Sequence, residues 1–97
     1  MPAAYIIANV TVTDEQQILE YRRLSTLAMQ AHGAEVLVRG GEITVLEGDW
    51  QPDRVVVLRF PSAEQARAFN DSAEYALARR ARDGAAVMRM VLVEGVA

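Results

Sequence analysis

Phenols, guanidiniums and one imidazole are the groups with which this chain could do chemistry. Cysteine and lysine are absent, all ten cations are arginine, and His32 is the single histidine. Those absences exclude disulfides, thiolate metal ligands and a cysteine nucleophile. They also exclude a Schiff-base lysine and a phosphate-loop lysine. A multi-histidine metal site could form only across subunits. The three serines, Ser25, Ser62 and Ser72, lack a nucleophile elbow, and Ser62 and Ser72 stand where helix caps are expected. Glu47, Asp49 and Asp53 lack the spacing of a metal loop. No metal and no cofactor is expected.

Seven residues remain as candidates. Tyr21 falls on the apolar stripe of the first expected helix, where a phenol can point its hydroxyl into a pocket and bind or protonate a substrate oxygen. A core tyrosine with a satisfied hydroxyl is the plainer alternative. Tyr75 is similar, beside a break in the second helical region. Arg39, Arg59 and Arg89 interrupt strands, so each needs a carboxylate, water or a ligand. Structural ion pairs with Glu35, Glu47 or Glu94 compete there with an anion or enolate site. Arg59 shares a strand face with Val55 and Val57. Trp50 lies in a connecting loop, where it could cover a pocket mouth, bury into a partner subunit or anchor the loop. His32 precedes Gly33 at a helix end, where its cation suits the helix dipole or is simply exposed.

The elements that must position these groups follow from periodicity. Tyr5 to Val12 alternates as a strand with apolar groups on both faces. Thr13 or Asp14 caps a helix with Gln16 or Gln17 as reciprocal partner, and Ile18, Tyr21, Leu24, Ala28 and Ala31 form its buried stripe. Gly33 stops it. Ala34 to Arg39 is a second strand. Gly40-Gly41 then precedes another extended run, Glu42 to Glu47. The pair reads either as a hairpin turn or as a bulge in one long strand. One extra residue would return Val36 and Val38 to the face of Ile43 and Val45, which favours the bulge. Residues 48 to 53 are a loop, and Arg54 to Phe60 is a β-branched strand. Ser62 opens a second helical region, broken at Asn70-Asp71-Ser72 and stopped at Gly84. Val87 to Glu94 is the last strand. The order is β-α-β-β-α-β, an α+β, ferredoxin-like plan. Right-handed crossovers make the sheet antiparallel in the order 4-1-3-2, with the helices on one face.

Two helical regions cover only one face of such a sheet, yet strands one, three and four are apolar on both sides. The bare face would exceed the apolar patch that monomers usually tolerate. Its burial is worth on the order of 10 kcal/mol before association costs. A homodimer paired through the sheet faces is therefore expected. Net charge is −3, so no basic field invites nucleic acid, and the Arg79-Arg80-Arg82 cluster reads as a solvated helix end. No apolar run approaches the ~18 residues of a membrane span. With no basic and apolar leader at the N-terminus, cytoplasmic residence is expected, and the length suits one domain over residues 1–97.

Short segments recur in a known order: Glu20-Tyr21-Arg22, Val38-Arg39-Gly40-Gly41, Leu46-Glu47-Gly48-Asp49-Trp50, Phe60-Pro61-Ser62, Asp71-Ser72-Ala73-Glu74-Tyr75 and Leu92-Val93-Glu94-Gly95. Over essentially its whole length the chain resembles the family catalogued as domain of unknown function 1330, within the dimeric α/β-barrel superfamily. The resemblance implies a ferredoxin-like protomer whose sheet pairs with that of a second copy into a barrel. It implies no reaction. Related families include cofactor-free quinone-forming monooxygenases, muconolactone isomerases, haem-handling enzymes and sensor domains of transcription factors, and these are analogies of fold.

The expectation is a homodimer that binds a small organic molecule between helices and sheet. Tyr21, Tyr75 and Trp50 would wall the pocket, and Arg59 or Arg39 would anchor the ligand. His32 is a further, weaker candidate. Cofactor-free oxygenation or isomerisation of an enol- or quinone-like substrate is one alternative. A non-catalytic structural or sensor dimer is the other.

Overall fold

A computed structural model describes residues 2–97. Strand β1 (Ala4–Val12) is followed by helix α1 (Ile18–Ala31) and strand β2 (Glu35–Arg39). Strand β3 (Val55–Phe60), helices α2 (Ala63–Asn70) and α3 (Ala73–Ala81), and strand β4 (Ala86–Glu94) complete the order. The four strands form one sheet ordered β2-β3-β1-β4 with every neighbouring pair antiparallel. This is the expected ferredoxin-like arrangement.

Alternation along the strands sorts the side chains into two layers. Ala4, Ile6, Ala8 and Val10 of β1 are buried, as are Leu58 and Phe60 of β3. Met88, Met90 and Leu92 of β4 pack against the same core. The helices close it with Ile18, Tyr21, Ala28 and Met29 from α1, Ala66 and Phe69 from α2, and Tyr75 and Ala78 from α3. On the opposite face Val38, Val87, Val91 and Val93 lie 40%, 57%, 56% and 45% exposed. Tyr5, Ile7, Val55 and Val57 are half-buried between them. Helices cover one side of this sheet and leave an apolar one bare.

The helix starts are local chemistry. Asp14 accepts from the backbone N–H groups of Gln16 (3.0 Å) and Gln17 (2.9 Å), forming a turn that leads into α1 rather than capping the helix itself. Ser62 caps α2 by accepting from Gln65 N–H at 3.2 Å, and Ser72 caps α3 by accepting from Tyr75 N–H at 3.1 Å. The break between α2 and α3 therefore sets where Tyr75 begins its helix.

The glycine pair is neither of the two expected forms. The bulge sits at Leu37, between the Val36↔Leu58 and Val38↔Val57 pairs. It puts Val36 and Val38 on opposite faces, and β2 ends at Arg39. Gly40 takes a left-handed φ of 74° and its N–H donates to Val55 C=O at 3.1 Å, the last bond between this chain segment and β3. Glu42 to Glu47 joins no strand. The following loop turns toward β1 instead: Asp53 N–H donates to Asn9 Oδ1 (3.1 Å) and Thr11 Oγ1 to Asp53 Oδ2 (2.5 Å). Pro52 has no N–H to offer a ladder. The run at 42 to 47 thus has no partner strand within its own chain, and alternation alone does not make a strand.

Ser72→Ala is expected to cost about 1 kcal/mol of unfolding free energy, the usual worth of a helix cap, measured by urea denaturation.

Candidate functional site

Helix α1 packs mainly on α3 and stands off the sheet. Small side chains face the gap, Ala8 from β1 and Ser25 from α1, and a cavity of about 50 Å³ remains between helices and sheet. Ile6 and Val10 of β1, Val56 and Leu58 of β3, and Met88 and Met90 of β4 form its floor. Ile18, Tyr21, Ser25, Met29, Phe69 and Tyr75 form its roof. Because α1 does not cover β2, all five β2 residues are exposed. Arg22, Arg39 and Arg54 also line the cavity, and Arg39, exposed on β2, puts the mouth on that side.

Two phenols meet in the wall. The hydroxyls of Tyr21 and Tyr75 are hydrogen-bonded at 2.8 Å, with their rings edge to face at 6.2 Å. One hydroxyl donates to the other, which leaves a single O–H to be placed. Its neighbours include the Ser25 side chain and two thioethers, which are poor acceptors: Met88 Sδ lies 3.7 Å from the Tyr21 oxygen and 3.9 Å from that of Tyr75, and Met90 Sδ lies 3.7 Å from the latter. Phe69 supports the Tyr75 ring at 4.8 Å and packs on Phe60 at 5.3 Å. Cations lie over the phenol faces, Arg79 at 4.9 Å from the Tyr75 ring centre and Arg82 at 5.5 Å from that of Tyr21.

Burial pushes the Tyr21 phenol far above the usual tyrosine range. Tyr75 adds to the shift, while Arg82 and Ser25 oppose it. Tyr21 is therefore a neutral hydrogen-bond donor or acceptor, not a base. A carbonyl or enolate oxygen of a ligand is a better acceptor than the sulfurs now beside these hydroxyls. The pair can thus orient and stabilise such an oxygen but takes no proton from carbon.

Of the seven sequence candidates, Tyr21, Tyr75 and Arg39 line this one cavity. Arg39 also donates from Nη2 to Thr26 Oγ1 of α1 at 2.9 Å. Arg59 and Trp50 stand elsewhere: of the two arginines expected as alternative anchors Arg39 lines the cavity, and Trp50 is not part of its wall. Arg59 pairs with Tyr5 across β1 and shares the phase of Val55 and Val57, which is that of the open face. There its Nη1 lies 3.3 Å from Glu35 Oε1 on the neighbouring strand. Trp50, 65% exposed, lies with Asn9, Thr11, Val87 and Arg89 against one end of the same open face. His32 caps the end of α1, where its Nε2 meets Glu74 Oε1 at 3.1 Å and its ring packs edge-on to Phe69. That hydrogen bond holds the Glu74 carboxyl below its usual range. Among the described residues, no three His, Cys, Asp or Glu side chains gather as a metal site, and no helix is long and apolar enough to cross a membrane.

Arg22, Ser25, Arg54, Met88 and Met90 line the cavity and were not singled out from sequence as site residues. For three of them a signal was present. Arg54 has the strand phase of Val56, Leu58 and Phe60, and the two methionines have that of Leu92.

The family model described as domain of unknown function (DUF1330) matches residues 3–96. No curated protein matches the chain significantly. Among solved structures, a protein of unknown function from Rhodopseudomonas palustris is 18% identical, with a TM-score of 0.73 over 99% of this chain and 84% of that one. A dimeric ferredoxin-like protein of unknown function from Thermobifida fusca is 14% identical, with a TM-score of 0.57 over 97% and 92%. SnoaB, a cofactor-independent oxygenase from Streptomyces nogalater, is 9% identical, with a TM-score of 0.62 over 100% and 96%. At these identities the shared property is the fold.

A phenol in an unfolded chain ionises near pH 10, and no lysine or cysteine titrates beside it here. Unfolded Tyr21 releases its proton there and folded Tyr21 keeps it, so the unfolded state binds fewer protons. Stability is then full below about pH 10 and falls above it, by up to about 1.4 kcal/mol per pH unit. Urea denaturation between about pH 8 and 11 is expected to show this fall, and Tyr21→Phe to lessen it.

Proposed function

Given that this chain belongs to the DUF1330 family, whose description names no activity, we propose a homodimer in which each protomer binds a small organic molecule between helices and sheet. The observation that carries the binding is the phenol pair at 2.8 Å in a cavity wall, whose hydrogen-bond partners beyond one another include the weakly accepting thioethers of Met88 and Met90. A carbonyl or carboxylate oxygen accepts a hydrogen bond better than a thioether does. A ligand oxygen supplies such an acceptor.

The dimer rests on the bare sheet face. Exposed Val38, Val87, Val91 and Val93 adjoin half-buried Tyr5, Ile7, Val55 and Val57 in one apolar surface, and a monomer gains nothing by keeping such a surface wet. Sheet-to-sheet pairing of two copies covers it on both partners at once. The dimeric Thermobifida fusca neighbour has this fold.

A second reading, cofactor-free oxygenation or isomerisation of an enol- or quinone-like substrate, draws on the same hydroxyls. A neutral Tyr21 could hold an enolate oxygen, and the substrate's own acidity would have to supply the proton step. SnoaB is a cofactor-independent oxygenase on a similar fold. A purely structural or sensor dimer differs from it in having ligand affinity or stability but no turnover. Oxygen uptake with a hydroquinone probe separates the two.

Sedimentation at micromolar concentration is expected to give a dimer, and Ile7→Glu, which places a charge on the interior strand β1 of the bare face, to give monomers. A wild-type monomer would refute the pairing. Native mass spectrometry of protein purified from its source is expected to show a small-molecule adduct. Filling the cavity by Ala8→Leu should remove it.

A further inference from the structure

Charge around the cavity is one-sided. The chain is net negative, yet Arg22, Arg39 and Arg54 line this opening and no Asp or Glu does. Among the described residues the ion pairs join Arg23 to Glu20, His32 to Glu74 and Arg59 to Glu35. None involves the three arginines at the opening. Arg39 has a neutral acceptor, Thr26 Oγ1, which leaves its charge uncompensated. The Arg54 guanidinium lies flat against Gly40, where any Cβ would collide with it. The left-handed φ of Gly40 and the resting place of Arg54 thus call for the same residue.

Three guanidiniums facing one opening repel one another, and a counter-charge between them is the direct relief. Beyond them the walls are apolar. A bare inorganic anion would leave those walls wet, and a neutral apolar molecule would leave the charges unanswered. Resting on the proposal that the cavity holds a small organic molecule, we infer that the molecule is an organic acid. Its carboxylate sits among Arg22, Arg39 and Arg54, and its apolar body points toward Tyr21 and Tyr75. The planar fork of a guanidinium matches a carboxylate through paired hydrogen bonds. The enclosed volume of about 50 Å³ admits a slim chain or the edge of a ring, so the acid is small and its head stays at the opening.

The test is calorimetric titration of the full chain with benzoate and hexanoate, each against its neutral primary amide, benzamide or hexanamide. Each acid is expected to bind about tenfold or more tightly than its amide, as charge-assisted pairing requires. Raising the salt concentration should weaken the acids and leave the amides unchanged. Arg39→Gln, at an exposed position that spares the core, and Arg54→Gln should each shrink the preference. The salt series needs no variant, so it decides even where one fails to fold. Equal binding of acid and amide would overturn the acid assignment and leave the pocket standing. No binding of either, or binding indifferent to Ala8→Leu, would overturn both.

Discussion

A strand sends successive side chains to opposite faces, and everything distinctive here depends on how that alternation meets a single layer of helices. Even-numbered residues of β1, β3 and β4 enter the helix-covered core, among them Ile6, Leu58, Phe60 and Met90. Odd-numbered residues of the same strands face away, and Val87, Val91 and Val93 are exposed there. One parity makes the cavity and the other makes the bare sheet. The phenol pair and Arg39 lie on the first side, and Arg59 and Trp50 on the second.

The cavity is a consequence of packing. Helix α1 leans on α3, small Ala8 and Ser25 line the gap, and the remaining space is not filled. Close-packed interiors leave few such voids. This one is finished with polar groups that have little use in a purely apolar core. Two hydroxyls share a hydrogen bond among methionine sulfurs, and guanidiniums gather where the cavity opens. The hydroxyls offer hydrogen bonds and the guanidiniums carry charge, so the site is graded from an apolar, hydrogen-bonding interior to a cationic rim. Binding and orientation follow from that gradient. Proton abstraction by a resident base does not, because burial keeps Tyr21 protonated and His32 lies at the far end of α1 against Glu74.

Much of the architecture was legible in the residues. The two-residue alternation of β1, β3 and β4, the caps at Ser62 and Ser72 and the stop glycines are local signals, and each marks its element to within a residue or two. The strand order followed from handedness. The start of α1 was less legible, because Asp14 serves a preceding turn as readily as a helix. The run from Glu42 to Glu47 misled. It alternates as a strand should, but a strand needs a neighbour for its backbone groups. The loop that might have supplied one is drawn instead to Asn9 and Thr11 of β1.

The sequence by itself determined the element order, the sheet topology, the second apolar face and the groups available for chemistry, because these depend on residue type and short-range spacing. Only the tertiary structure decided which of those groups meet. Strand phase was readable at Arg59, but which phase the helices would cover depends on the assembled sheet. The meeting of Tyr21 with Tyr75, 54 positions apart in the chain, depends on the angle at which α1 leans on α3. The convergence of Arg22, Arg39 and Arg54 depends on α1 leaving β2 uncovered. Those are properties of packed elements in space, and no periodicity along the chain encodes them.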